Sequence, residues 1–521
     1  MNNFTLADVV RLHAAERPAQ PYLHYNDKWT TFGQLHERTN RVAQALIRLG
    51  VGEGCRVALL DKNRPECFEV MFAASKCGAA YVPLNWRLAA PEIEDILKDA
   101  QPTILFIGDE FVDRIEGVAS AVPELKAIIA LDQSGKTPYV TYADWQGMAA
   151  AVDPQIPTTA EDMAVLMYTS GTTGKPKGAM LSSRSLIGHM EWTAKVWGYD
   201  ATSVQLVPMP LFHIGGTSMA LQSIVLGART ILLAEVNPAQ MLRLISEFRV
   251  TNMLLVPAII QYLLDAPACA TTDWSSVRSL IYGAAPISDT LLRKAMQVLQ
   301  CNFIQIYGMT EHSGCVSLLS PEDHDPEHSS ELLASCGKPL PWVEVAIVDP
   351  ANLHPLAQGE VGEIWVRSQQ LMAGYWRQPE VTATTLTTEG WLRTGDAGYL
   401  DPNGYLYIRD RVKDMIISGG ENIYPAEIEN VLMRHPSIAD AAVIGVPHSK
   451  WGETPKAVVV KVRGKPADEL QILTFCRTQL AGFKCPTSVD FVDALPRNPS
   501  GKILKRELRE PYWQGHGRRV S

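Results

Sequence analysis

The sequence predicts an α/β protein: a large N-terminal domain of several subdomains with mainly parallel sheets plus a β-rich subdomain, and a small α+β C-terminal domain. Three observations carry this. Up to about residue 310, short apolar runs alternate with amphipathic stretches of helical period, and the runs are near-continuously apolar, which suits strands covered on both faces by crossover helices. Beyond Ser335 the apolar residues alternate instead, between turn signals. Beyond Arg411 short strands and helices follow one another over roughly a hundred residues, an ordinary domain size. At 521 residues the chain is also too long for a single core.

Taken in order, Thr5 with Asp8 reads as the capped start of a helix, and the charges Asp8, Arg11 and Glu16 argue against a signal peptide. Leu35, Val42, Leu46 and Leu49 share a helical face that Gly50 terminates. Strands are predicted over 56–60, 103–107, 127–131, 164–168, 230–233, 253–256, 279–282 and 303–307. The segment 201–228 carries no formal charge, but Pro208, Pro210 and the Gly215-Gly216 pair interrupt it. Gln205, Ser218 and Gln222 are spread through it, so a buried strand-loop-helix is expected rather than a membrane span. Strands at 343–348 and 362–367 and the turn Asp401-Pro402-Asn403-Gly404 suggest antiparallel structure. A helix at 426–434, strands at 441–444 and 457–461, a helix at 470–480 and a strand at 489–492 complete the chain.

Composition excludes several classes. A formal net charge of -9 gives no general attraction to phosphate backbones, so nucleic acid is not an expected partner. The nine cysteines form no C-x-x-C pair, which argues for a reducing compartment and against a disulfide framework or zinc site. A cytoplasmic monomer or homodimer without a transmembrane segment is expected, with surface contact with a membrane left open.

The strongest local signal is YTSGTTGKPKG at 168–178, directly after a predicted strand. Gly171, Gly174 and Gly178 let backbone approach a polyphosphate, Thr169, Ser170, Thr172 and Thr173 supply hydroxyls, and Lys175 and Lys177 supply charge. It is not the Walker form, because Pro176 follows Lys175 where that loop needs a hydroxyl. The bland alternative, a solvated turn, does not account for eleven matched positions. Gly283 and Ala284 end one predicted strand and Tyr307 the next, where open α/β sheets bind ligands, and small residues beside an aromatic ring make a slot for a purine. Thr310 and Glu311 follow, the latter a hard oxygen ligand suited to magnesium.

These blocks resemble the adenylate-forming superfamily of acyl-CoA synthetases, luciferases and peptide-synthetase adenylation domains, and most of all the acyl-CoA synthetases (fatty acid:CoA ligases). The resemblance continues in order through YVPLN at 81–85, YGAAP at 282–286, YGMTE at 307–311, WLRTGD at 391–396, RDRVKDMIISGGENIYPAEIE at 409–429 and PRNPSGKILK at 496–505.

It implies an ATP-dependent ligase that makes an acyl-adenylate and passes the acyl group to CoA, with Mg2+. It further implies an N-terminal domain at 1–410, a hinge at 411–413 and a mobile domain at 414–521 carrying the catalytic lysine. On that basis Lys502, His213, Thr172 and Glu311 are catalytic. ATP contacts extend from Thr169 through Lys175 and include Gly283, Ala284, Ala285, Tyr307, Gly308 and Thr310, with Asp396 and Arg411 at the ribose. Gly419 and Gly420 line the CoA tunnel, Lys413 is the hinge residue and Glu311 holds the metal.

No acid stands in 214–220, where amino-acid-activating relatives carry an Asp, so an apolar acid without an α-ammonium group is expected. The paired glycines are expected to leave depth for a medium- or long-chain fatty acid. An aryl acid, or an enzyme that loads a carrier protein, are the alternatives; a luciferase-like oxygenase and an inactive nucleotide binder rank below them.

Overall fold

The computed structural model describes residues 3–135, 137–169, 176–285, 287–418, 421–497 and 503–514. Its first helix, Leu6–Glu16, begins as the sequence predicts: Thr5 accepts from the Asp8 amide while Asp8 accepts from the Thr5 amide at 2.9 Å. The chain folds as two compact units, one of residues 1–344 and 367–392, the other of 345–366 and 393–521.

Two large sheets build the first unit. Among the described residues, the seven-stranded sheet runs in the order 140–141, 127–130, 104–107, 56–60, 80–83, 163–169 and 177–182, parallel except for its last pair. The nine-stranded sheet runs 338–339, 314–319, 302–309, 279–283, 252–255, 204–207, 229–232, 21–25 and 28–31. Its middle is parallel and both ends are antiparallel. Strands such as Asn252–Leu255 and Ser279–Gly283 are buried at every residue, the reason their sequences read as unbroken apolar runs. The uncharged segment forms the strand Val204–Val207 and the helix Ile214–Leu226, and no described helix is long and apolar enough to cross a membrane.

In the second unit, a four-stranded sheet has the order 344–348, 362–367, 392–400 and 406–411. A five-stranded sheet pairs the long antiparallel strands Ile438–His448 and Gly452–Lys461, with Ser488–Phe491 parallel to the latter. The helices Pro425–Leu432 and Glu469–Gln479 contribute Ile428, Leu432, Ile472 and Cys476 to its core.

Candidate active site

One end of each large sheet carries an antiparallel hairpin, and several of the residues singled out by sequence stand on these two hairpins. In the first, Met163–Thr169 pairs with Lys177–Ser182, Thr169 standing opposite Lys177. The Tyr168 hydroxyl donates to Asp99 Oδ2 at 2.5 Å. The turn itself, Ser170, Gly171, Thr172, Thr173, Gly174 and Lys175, lies outside the described residues.

In the second, Asn302–Met309 pairs with Gly314–Leu319. The neighbouring strand Ser279–Gly283 runs parallel, Gly283 opposite Ile306, so Gly283, Tyr307 and Gly308 stand together at the carboxyl ends of adjacent strands. Ala284 turns out of the strand at a left-handed φ of 63°, and both Ala284 and Ala285 are exposed. Thr310 and Glu311 form a single 3-10 turn with His312. The Glu311 carboxylate is 9% exposed, and its Oε1 accepts from the Tyr375 hydroxyl at 2.8 Å.

Between the hairpins runs a strap, 372–376. Met372 N donates to Glu311 O at 2.9 Å on one side; Ala373 N to Met180 O at 2.9 Å and Trp376 N to Gly178 O at 2.8 Å hold the other. Gly374 sits at φ 143°, and a Cβ there would lie 2.8 Å from Thr382 Cγ2, so this position needs glycine. Under the second turn, the His312 ring shares a 2.8 Å hydrogen bond with Ser368 Oγ. Burial pushes the pKa of His312 down to about 3 and that of nearby His189 to about 4, leaving both rings neutral.

His213 precedes the helix Ile214–Leu226 in the N-cap position without capping it. Its ring lies 4.5 Å from that of Phe212, burial and then the Arg87 charge lower its pKa to about 4, and Nε2 is buried with no partner among the described residues. The two glycines that follow differ, contrary to the expectation that both leave depth. A Cβ on Gly216 would lie 2.2 Å from Pro210 O, so its missing side chain is filled by backbone, whereas at Gly215 the nearest atom is Leu254 Cδ2 at 3.9 Å. Gly215 alone of the two could take a side chain without a clash, in van der Waals contact with Leu254.

In the second unit, Asp396 and Arg411 face each other across a hairpin, with Nε to Oδ1 at 2.7 Å. Lys413 lies in the turn Val412–Asp414, flanked by carboxylates bound to the last helix. Asp414 pairs with Arg509 at 2.6 Å, while Lys505 meets Glu429 at 2.8 Å and Asp410 at 3.9 Å. Burial opposes the Lys505 ammonium, but Glu429 and Asp410 hold its pKa above the usual lysine value. Gly419, Gly420 and Lys502 lie outside the described residues.

No group of three or more His, Cys, Asp or Glu is assembled for a metal among the described residues. Magnesium bound with a polyphosphate does not need one: it keeps waters and phosphate oxygens and takes one or two carboxylates. Glu311, whose Oε1 is engaged by Tyr375, fits as one such donor through Oε2.

Two family models match the chain, "AMP-binding enzyme" at residues 10–376 and "AMP-binding enzyme C-terminal domain" at 427–502. The chain belongs to the AMP-binding enzyme family. This AMP-binding enzyme is 39% identical to the fatty acid–[acyl-carrier-protein] ligase ScoC of Streptomyces coeruleorubidus, over 99% of this chain and 98% of that one. It is 38% identical to a feruloyl-CoA synthase of an Amycolatopsis species, over 92% and 94% of the two chains. Among solved structures, ATP-bound MatB from Rhodopseudomonas palustris superposes with a TM-score of 0.88 at 31% identity, covering 98% and 99%.

Sequence reasoning about this AMP-binding enzyme missed Tyr375, which spans both hairpins. Its one local signal was Gly374 before two aromatic residues in LMAGYWRQPE.

Proposed function

We propose that this AMP-forming acid–thiol ligase activates a medium- or long-chain fatty acid, or a similarly apolar acid, and delivers the acyl group to CoA. The observation that carries the acid class is the apolar surround of His213: a neutral, half-buried imidazole against the Phe212 ring, with no charged residue in 214–220 and only Leu254 Cδ2, at 3.9 Å, near the place of a Gly215 side chain. Such a surface favours hydrocarbon, each buried methylene adding about 0.8 kcal/mol. Similarity to a fatty acid ligase supports the same class.

In the first half-reaction the substrate carboxylate attacks the α-phosphorus, the bond to the bridging oxygen breaks, and pyrophosphate leaves. Residues 169–175 cradle the phosphates, Gly283, Ala284, Ala285, Tyr307, Gly308 and Thr310 hold the adenine side, and Asp396, steadied by Arg411, takes the ribose hydroxyls. Lys502 supplies a cation between the carboxylate and the α-phosphate, where charge develops. Magnesium, when bound through Glu311, offsets charge on the phosphates. In the second half-reaction the thiol sulfur attacks the acyl carbon, AMP leaves, and the thiol proton goes to solvent. A rotation about Lys413 withdraws Lys502 and brings Gly419 and Gly420 to the pantetheine. The protein is placed in the cytoplasm in this reading.

One observation favours a second acid. The unpartnered His213 Nε2 is an acceptor suited to a phenolic hydroxyl, as in a hydroxycinnamate, and a feruloyl-CoA synthase is among the similar proteins. The deciding experiment measures kcat/KM for acids of two to eighteen carbons beside benzoate and coumarate, each with CoA and with a phosphopantetheinylated carrier protein. A maximum at acetate, or a large preference for the aryl acids, rejects the fatty-acid reading, and a strong preference for the carrier rejects CoA. Lys502→Ala is expected to lower adenylate formation by about 10² to 10³ or more while sparing thioester formation from synthetic acyl-AMP; equal loss in both steps rejects the lysine's role.

A further inference from the structure

The Glu311 carboxylate has two oxygens and a flexible stem, yet only one orientation presents a chosen oxygen to a ligand. Three things fix it. Its backbone oxygen accepts from Met372 N at 2.9 Å. Its Oε1 accepts from the Tyr375 hydroxyl at 2.8 Å, with both side chains buried, where such a charge-assisted bond is strong. The hydroxyl is itself held, because Tyr375 N donates to Thr382 Oγ1 at 2.9 Å and Tyr375 forms a bridge with Ala179 on the first hairpin. Met180 N donates to Gly374 O at 3.0 Å beside it, and Trp376 fastens the far end through its indole N–H to Asp99 O at 3.0 Å.

The first hairpin also reaches the ring: Lys177 Nζ lies 5.0 Å from its centroid, within cation–π range. One residue therefore touches both elements that the proposed function assigns to the phosphates. Its backbone joins the strand Lys177–Ser182 at Ala179, and its hydroxyl joins the carboxylate on the other hairpin. Nothing in the chemistry requires a phenol at this point, since Tyr375 is placed to act through Glu311.

We propose that Tyr375 is a positioning residue for adenylate formation, its hydroxyl aiming the second oxygen of Glu311 and its strap setting where Glu311 stands relative to the strand Lys177–Ser182. The inference rests on the reading of Glu311 as a group that binds the metal-bound phosphates. A purely structural tyrosine would contribute to folding and leave nucleotide binding alone.

The test uses the full-length enzyme and Tyr375→Phe, which keeps the ring and the backbone strap. Pyrophosphate exchange, thioester formation from synthetic acyl-AMP, thermal melting, and equilibrium binding of ATP with and without Mg2+ are measured for wild type, Tyr375→Phe, Glu311→Gln and the double variant. Exchange in Tyr375→Phe is expected to fall about 10- to 100-fold, with the thioester step and the melting temperature near wild type. The gain in ATP affinity given by Mg2+ should shrink in Tyr375→Phe and vanish in Glu311→Gln, and adding Tyr375→Phe to Glu311→Gln should change binding less than about 2-fold, as for two groups acting as one. Wild-type exchange in Tyr375→Phe, or an undiminished second loss in the double variant, overturns the proposal while leaving Glu311 in place. Wild-type behaviour of Glu311→Gln overturns the reading of Glu311 and the proposal with it.

Discussion

Two buried polar regions of the first unit invite comparison, the Lys76 cluster and the His213 wall. Lys76 is fully buried, and its Nζ lies 2.5 Å from Asn40 Oδ1, 2.9 Å from Thr39 Oγ1 and 3.2 Å from His36 Nδ1, with Asp153 Oδ2 at 3.7 Å. Every proton of that ammonium has somewhere to go. His213 is neutral, packed against Phe212, and its Nε2 has no partner among the described residues. Buried polar groups in folded proteins are nearly always satisfied, so the first pattern is a fastening between secondary structures, while the second suits the acid site of the proposed function. Substitution should therefore separate stability from catalysis in opposite directions at the two places.

The largest effect is expected at the fastening. Lys76→Met leaves Thr39 and Asn40 without their donor and should lower unfolding free energy by about 3 kcal/mol in urea titration, with kcat and KM unchanged. The loss should also depend on pH. Burial, partly opposed by Asp153, lowers the folded-state pKa of Lys76 to about 8 from an ordinary 10.5. Between those values the unfolded chain holds the proton that the folded chain has released, so wild-type stability rises with pH and the gap to Lys76→Met widens from pH 8 to 10.5. A gap that narrows over that range breaks the account of the cluster.

Next, His213→Ala should cost about 10- to 100-fold in kcat/KM for the preferred acid while the melting temperature moves by less than about 2 °C, because no protein partner is lost. A large drop in melting temperature would return His213 to the same class as Lys76. The smallest effect is expected at Gly215→Val. It should act only on the longer acids, lowering their kcat/KM by about 4-fold for each methylene displaced and leaving short acids untouched. The matching change at Gly216 should instead destabilise the fold, since a side chain there meets Pro210 O.

The neighbouring glycines show where the sequence stops being legible. Both stand in one apolar stretch, and only the fold tells that one is filled by backbone and that the other has room for a side chain beside Leu254. Strands 56–60, 253–256 and 279–282 were readable because both faces are covered, which leaves an unbroken apolar run. Pro21–Tyr25 was not, since its place beside Arg229–Leu232 is fixed by a partner some two hundred residues away. The order of motifs pointed to Glu311 as a candidate, but the bond to Tyr375 joins residues 64 apart and has no local pattern.

The pair formed by Lys505 with Glu429 and Asp410 has a mechanical meaning. Lys502 precedes Lys505 by three positions, and three extended residues span at most about 10 to 11 Å. Lys505 thus moors the start of the last helix to carboxylates that precede and follow the proposed hinge residue Lys413 in sequence, and a variant that breaks this pair is expected to lower adenylate formation without altering any residue assigned to the nucleotide.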